Sequence, residues 1–129
     1  MAASRLRSPL SRAIGLGSAK EGVEHWWALR LTSLALVPLT VWFVVAIIQL
    51  ADADRAALVG WLHQPLPAVI MILLLIATFY HSALGLQVVI EDYVHTEGTR
   101  YVLLILNKLV SFALAALGIF AVLKLSLGA

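Results

Sequence analysis

Three uninterrupted apolar runs, at about residues 26–50, 65–90 and 101–127, constrain this chain more than any other feature. Each is roughly 25 residues long, against the ~20 that a helix needs to cross a hydrocarbon core of ~30 Å. Inside lipid there is no water to bond the main chain, so a spanning segment must satisfy its own N–H and C=O groups. The runs are continuous rather than alternating, which excludes the strands of a barrel. The expected fold class is therefore an all-α membrane protein with three transmembrane helices in up-down-up order. Composition agrees: 62% of the 129 residues are hydrophobic and 12% are charged. A soluble domain of this length leaves too much surface exposed to hide that apolar content.

Residues 1–25 read as a basic tail and residues 26–129 as the membrane domain. The first apolar run starts too late, and runs too long, for the core of a cleavable signal peptide. Arg5, Arg7 and Arg12 lie among serines with no acidic residue before Lys20. That pattern is compatible with a mitochondrial presequence, but no amphipathic period supports one, and a plain cytoplasmic tail is the reading adopted. A net charge of +2 with no basic stripe gives no sign of a nucleic-acid partner. The absence of cysteine excludes disulfides, iron–sulfur ligation and thiolate metal sites within this chain.

Asp52, Asp54 and Gly60 are expected to separate the first two helices, and Glu91–Arg100, with Gly98, the second and third. Pro65 and Pro67 suit a helix start, where a missing N–H costs little. Pro38 is expected to kink the first helix. Trp26, Trp27, Trp61, Tyr93 and Tyr101 fall at membrane–water boundaries, as interfacial aromatics do. The tail holds most of the Lys and Arg, while the first loop has only Arg55 and the C-terminal end only Lys124. The positive-inside rule then puts the N-terminus and the second loop in the cytoplasm or matrix.

Four polar positions lie at or near membrane depth: Arg30, His81, Asp92 and Lys108. Such groups are costly in lipid and usually face protein, water or a cofactor. His81 is the deepest histidine, roughly 15 Å below the inner boundary at ~1.5 Å per residue. Two readings are open for it: an axial haem ligand, or a neutral imidazole hydrogen-bonded across helices. Gly85, one turn on, leaves room for a flat macrocycle or a neighbouring helix. Asp92 follows His81 by eleven residues, ~20° from three full turns and ~16 Å along the axis, so both share a face. Asp92 and Tyr93 suit a headgroup-level quinone site, with the phenol donating to a carbonyl and the carboxylate relaying protons. On position alone, a solvated helix end with an interfacial tyrosine is the favoured reading. Arg30 can snorkel or pair with a haem propionate, and Lys108 can snorkel. His25 and Glu24 flank the first span. A haem held by two histidines takes them from opposite faces of the ring. On that reading the second ligand comes from another chain or a second copy.

The run His81-Ser82-Ala83-Leu84-Gly85-Leu86-Gln87-Val88-Val89-Ile90-Glu91-Asp92-Tyr93-Val94 resembles the signature of the small membrane anchor subunits of succinate dehydrogenase. These show a histidine, a glycine four residues on and an Asp-Tyr pair eleven and twelve residues on, within the second of three spans. Gly22–Thr32 resembles the start of that family's first helix. The resemblance implies that His81 is an axial ligand of haem b, shared with a second transmembrane anchor subunit that supplies the other ligand and packs with this chain into a helical bundle. It implies that Tyr93 hydrogen-bonds ubiquinone, with Asp92 beside it, and that Arg30 and His25 are the candidates for the haem propionates. It implies partners: an iron–sulfur subunit docked on the cytoplasmic or matrix face, and a flavoprotein subunit. FAD and iron–sulfur clusters belong to those subunits. This chain would carry no catalytic residue and no independent activity. It would help pass electrons from succinate oxidation to ubiquinone as a multi-pass protein of a bacterial inner membrane with its N-terminus cytoplasmic, a mitochondrial inner membrane being the lesser alternative. Rival readings are the anchor of a fumarate reductase, a small proton-coupled transporter using His81 and Asp92 as a relay, and a structural anchor that binds neither cofactor.

Overall fold

A computed structural model of the protein describes residues 19–128. The expectations placed on Arg5, Arg7 and Arg12 lie outside the described residues. Four helices follow in order: α1 (Ala19–Gln49), α2 (Arg55–His63), α3 (Pro65–Tyr93) and α4 (Glu97–Leu127). Three of them, α1, α3 and α4, are long and apolar enough to cross a membrane, as the sequence predicts. No strand occurs among the described residues.

Three boundaries differ from the sequence reading, and the first is that α1 begins at Ala19, inside the segment read as a tail. The stretch between the first two spans is not merely a loop: it holds α2. Asp54 caps this helix, its side chain accepting a 2.8 Å hydrogen bond from the Ala57 N–H. That bond supplies one of the donors left free in a first helical turn. The second connection is also shorter than Glu91–Arg100. Only Val94, His95 and Thr96 lie outside helices, and Gly98 sits in the first turn of α4. Water and headgroups can complete a helix beyond the hydrocarbon, so apolar sequence marks the span and not the helix ends. α1 runs unbroken through Pro38. The proline nitrogen cannot donate to the Leu34 carbonyl one turn back.

α3 is the middle helix, packed against α1 on one side and α4 on the other. The small buried core lies where the start of α3, the end of α4 and α2 meet, at Leu62, Ala68 and Val122. Trp61 of α2 stacks on Trp42 of α1 with ring centroids 5.6 Å apart. An aromatic pair of this kind adds about 0.5–1.5 kcal/mol beyond its burial, so Trp61 does more than mark an interface. Along the spans, Asn107 of α4 donates from Nδ2 to the Ala83 carbonyl of α3 at 2.9 Å. Gly118 of α4 lets the Leu75 side chain of α3 approach: a Cβ there would lie 3.2 Å from both Leu75 methyl carbons.

Gly118→Leu should therefore force α3 and α4 apart and cost about 1–3 kcal/mol, the usual penalty of overpacking. Gly118→Ala meets only the flexible end of Leu75 and should cost much less. Thermal unfolding in lipid or detergent reads the difference between the two variants.

Candidate functional site

The site is built on the face of α3 that looks toward α1. His81 is half-buried there, and its Nδ1 lies 2.8 Å from the Thr32 Oγ1 of α1. A polar pair across two helices is what lipid favours, since neither group can find water. The Thr32 hydroxyl also meets its own helix, 2.7 Å from the Ala28 carbonyl and 3.1 Å from that of Leu29. His81 Nε2 has no hydrogen-bond partner among the described residues. Of the two readings left open by the sequence, the cross-helix hydrogen bond is therefore present at Nδ1, and Nε2 remains available to an outside group. The readings are compatible, not alternatives. One turn along, a Cβ on Gly85 would meet nothing within 4 Å, so the chain leaves space beside the ring.

α1 and α3 run antiparallel, which orders the other candidates. His25 precedes Thr32 by seven residues, ~20° short of two turns, so it stands on the same face of α1, ~10 Å nearer that helix's start. Arg30 precedes Thr32 by two residues, ~200° around the helix, and so stands on the opposite face. Its guanidinium carbon lies 5.3 Å from the centroid of the Trp26 ring, a cation–π distance. The structure thus brings His25 to the His81 side of α1 and turns Arg30 away from it.

Asp92 and Tyr93 end α3, twelve residues or ~18 Å from His81 in the case of Tyr93. Both are exposed, Tyr93 at 78%. Glu91, beside them, accepts a 3.1 Å hydrogen bond from Gln87 Nε2. Carboxylates at a helix C-terminus oppose the helix dipole, typically by ~0.3–1 kcal/mol. α3 has no basic residue in its last turn to offset Glu91 and Asp92. Left without an offsetting charge in that turn, the pair fits a group open to a partner beyond the described residues.

Lys108 stands elsewhere. It lines an open apolar groove of about 830 Å³ between α3 and α4, with Phe79, Tyr80, Leu84, Gln87 and Phe112. His81, Asp92 and Tyr93 do not line this groove. Thr32 is the residue that sequence reasoning missed. It is one hydroxyl in an apolar run, and its signal was its register with His25, which sets both on one face.

No group of three or more His, Asp or Glu side chains arranged to hold a metal ion occurs among the described residues. An iron already held by a porphyrin asks only for an axial nitrogen, and the free Nε2 beside an open Gly85 face fits that requirement. The chain's residues 4–118 match the family of succinate dehydrogenase/fumarate reductase transmembrane subunits. It is 32% identical to the succinate dehydrogenase hydrophobic membrane anchor subunit of Paracoccus denitrificans, over 97% of this chain and 96% of that one. It is 33% identical to the subunit of the same name from Rickettsia bellii, over 81% of this chain and 84% of the relative. The succinate dehydrogenase membrane anchor subunit of Reclinomonas americana is 28% identical over 71% of this chain. No solved structure matches the chain closely. The chain belongs to the succinate dehydrogenase/fumarate reductase transmembrane subunit family.

The chain has no cysteine of its own, so paired cysteines report helix facing cleanly. Thr32→Cys with His81→Cys should be bridged by a short thiol cross-linker in membranes. Arg30→Cys with His81→Cys should not, and equal yields from the two pairs would contradict the facing described above.

Proposed function

We propose that this family member is the small membrane anchor of a succinate dehydrogenase, that His81 supplies one axial ligand to haem b, and that Tyr93 and Asp92 form part of the ubiquinone site. The observation that carries the reading is the state of His81, held at Nδ1 and open at Nε2, with Gly85 and Asp92 along the same helix face. A bis-histidine haem, when bound, supplies a one-electron centre. The second histidine and the rest of the haem pocket come from another transmembrane subunit. His25, on the His81 side of α1, is the better placed propionate partner, and Arg30 reaches a propionate only from a side chain rotated off Trp26.

At the other end of α3 the chain's own residues handle a quinone in simple ways. The Tyr93 hydroxyl donates a hydrogen bond to a quinone carbonyl, polarising it toward reduction. Asp92 orients that phenol or a water and relays protons from the aqueous side as the quinone takes up two electrons and two protons to become quinol. The high exposure of both side chains leaves them open to a docked iron–sulfur subunit, which brings electrons from the flavoprotein. The positive-inside rule places that end of α3 on the cytoplasmic side, where a soluble partner docks.

Two variants test the assignments separately in the assembled complex. Tyr93→Phe should lower succinate–ubiquinone reductase activity by ~10²-fold, the lower range for losing one hydrogen-bond donor to developing oxygen charge. Succinate oxidation with a soluble dye should stay normal, and so should the haem. An unchanged quinone rate would favour the purely structural anchor. His81→Ala should remove or alter the b-type band in the reduced-minus-oxidised spectrum, with a milder effect on turnover. A wild-type complex with no such band would sink the haem assignment and leave the proton-relay reading.

A further inference from the structure

We infer that Thr32 is a positioning residue for His81: its hydroxyl holds the proton on Nδ1 and so presents a bare Nε2 as the nitrogen that faces iron. The inference rests on the haem reading above. It follows from counting protons. The Thr32 Oγ1 carries a single hydrogen and has three close neighbours: the Ala28 carbonyl at 2.7 Å, the Leu29 carbonyl at 3.1 Å and His81 Nδ1 at 2.8 Å. The carbonyls can only accept. If the hydroxyl gave its hydrogen to Nδ1, its oxygen would face the Ala28 oxygen lone pair to lone pair at hydrogen-bond distance. If the hydroxyl gives its hydrogen to Ala28, Nδ1 must be the donor, and both short contacts become favourable hydrogen bonds. A neutral imidazole carries one N–H, so Nε2 then holds the free lone pair that a metal requires.

The geometry of α1 makes this arrangement stiff. Threonine is β-branched and has few χ1 choices in a helix, and its hydroxyl commonly bonds back to the preceding turn. The anchor is thus fixed by main-chain atoms of α1 before the histidine arrives. The two ring nitrogens diverge, so seating Nδ1 on α1 turns Nε2 away from that helix. Ligating histidines generally hold their second nitrogen in such a bond, which orients the ring and raises its donor strength. Here the acceptor is a hydroxyl on a neighbouring span.

Two measurements test the inference. In the full chain reconstituted in lipid and labelled with nitrogen-15 histidine, solid-state NMR reads the His81 tautomer, assigned by its loss in His81→Gln. The expected result is a protonated Nδ1. A predominant Nε2–H form would overturn the inference whether or not haem binds. In the assembled complex, Thr32→Val should raise the haem midpoint potential, because a weaker axial donor stabilises ferric iron less. It should also weaken haem retention by ~10–100-fold, and Thr32→Ser should restore both. A Thr32→Val complex with native potential and native haem retention would overturn the positioning role while the haem reading stands. A wild-type complex without haem, in a chain whose Nδ1 is protonated, would overturn the haem reading and the iron-facing half of the inference with it.

Discussion

An unpaired polar group in hydrocarbon has nowhere to turn, and that constraint shapes the molecule. It forces each span into a helix that closes its own main-chain bonds. It also decides what the few polar side chains at depth do. Thr32 and His81 meet between α1 and α3. Asn107 reaches the Ala83 carbonyl between α3 and α4. α3 is thereby held on both sides by polar contacts. Each contributes modestly, ~0.6 kcal/mol on average for such bonds in a membrane. Their value lies in register: one fixes which turn of α1 faces His81 and the other which turn of α4 faces Ala83.

Packing is uneven along the bundle. The small core and the Trp42–Trp61 stack gather where α2 closes over the start of α3 and the end of α4. Toward the far end of α3 the helices present apolar and polar surface outward, with Gly85 open and Tyr93 exposed. No large side chain is fully buried among the described residues. Among the described residues, the bundle is open at the end where its chemistry would lie. That suits a subunit whose site is closed by partners, with Nε2 of His81 and the Asp92–Tyr93 pair as the groups left for them.

The spans were legible because lipid imposes a simple rule on the sequence, and the face shared by His81 and Asp92 followed from helical spacing alone. The capped helix α2 was harder to see. Its nine residues, RAALVGWLH, are too few and too mixed for hydropathy to separate from a loop, and Asp54 reads in sequence only as a separator between spans. The helical first turn of α4 was hidden by Gly98, a residue usually read as a break. Thr32 was hidden for a different reason. A hydroxyl within an apolar run carries no signal until the neighbouring helix shows which side it faces. Arg30 illustrates the same limit: its type suggested a propionate partner, while its register turns it toward Trp26.

The most direct test of the central claim is an experimental density map of the complete membrane complex, detailed enough to place the His81 ring. Iron is expected within bonding distance of Nε2, with the second axial ligand from another subunit and Thr32 still joined to Nδ1. A His81 ring directed at lipid, or packed against apolar neighbours with no iron beside it, would contradict the account.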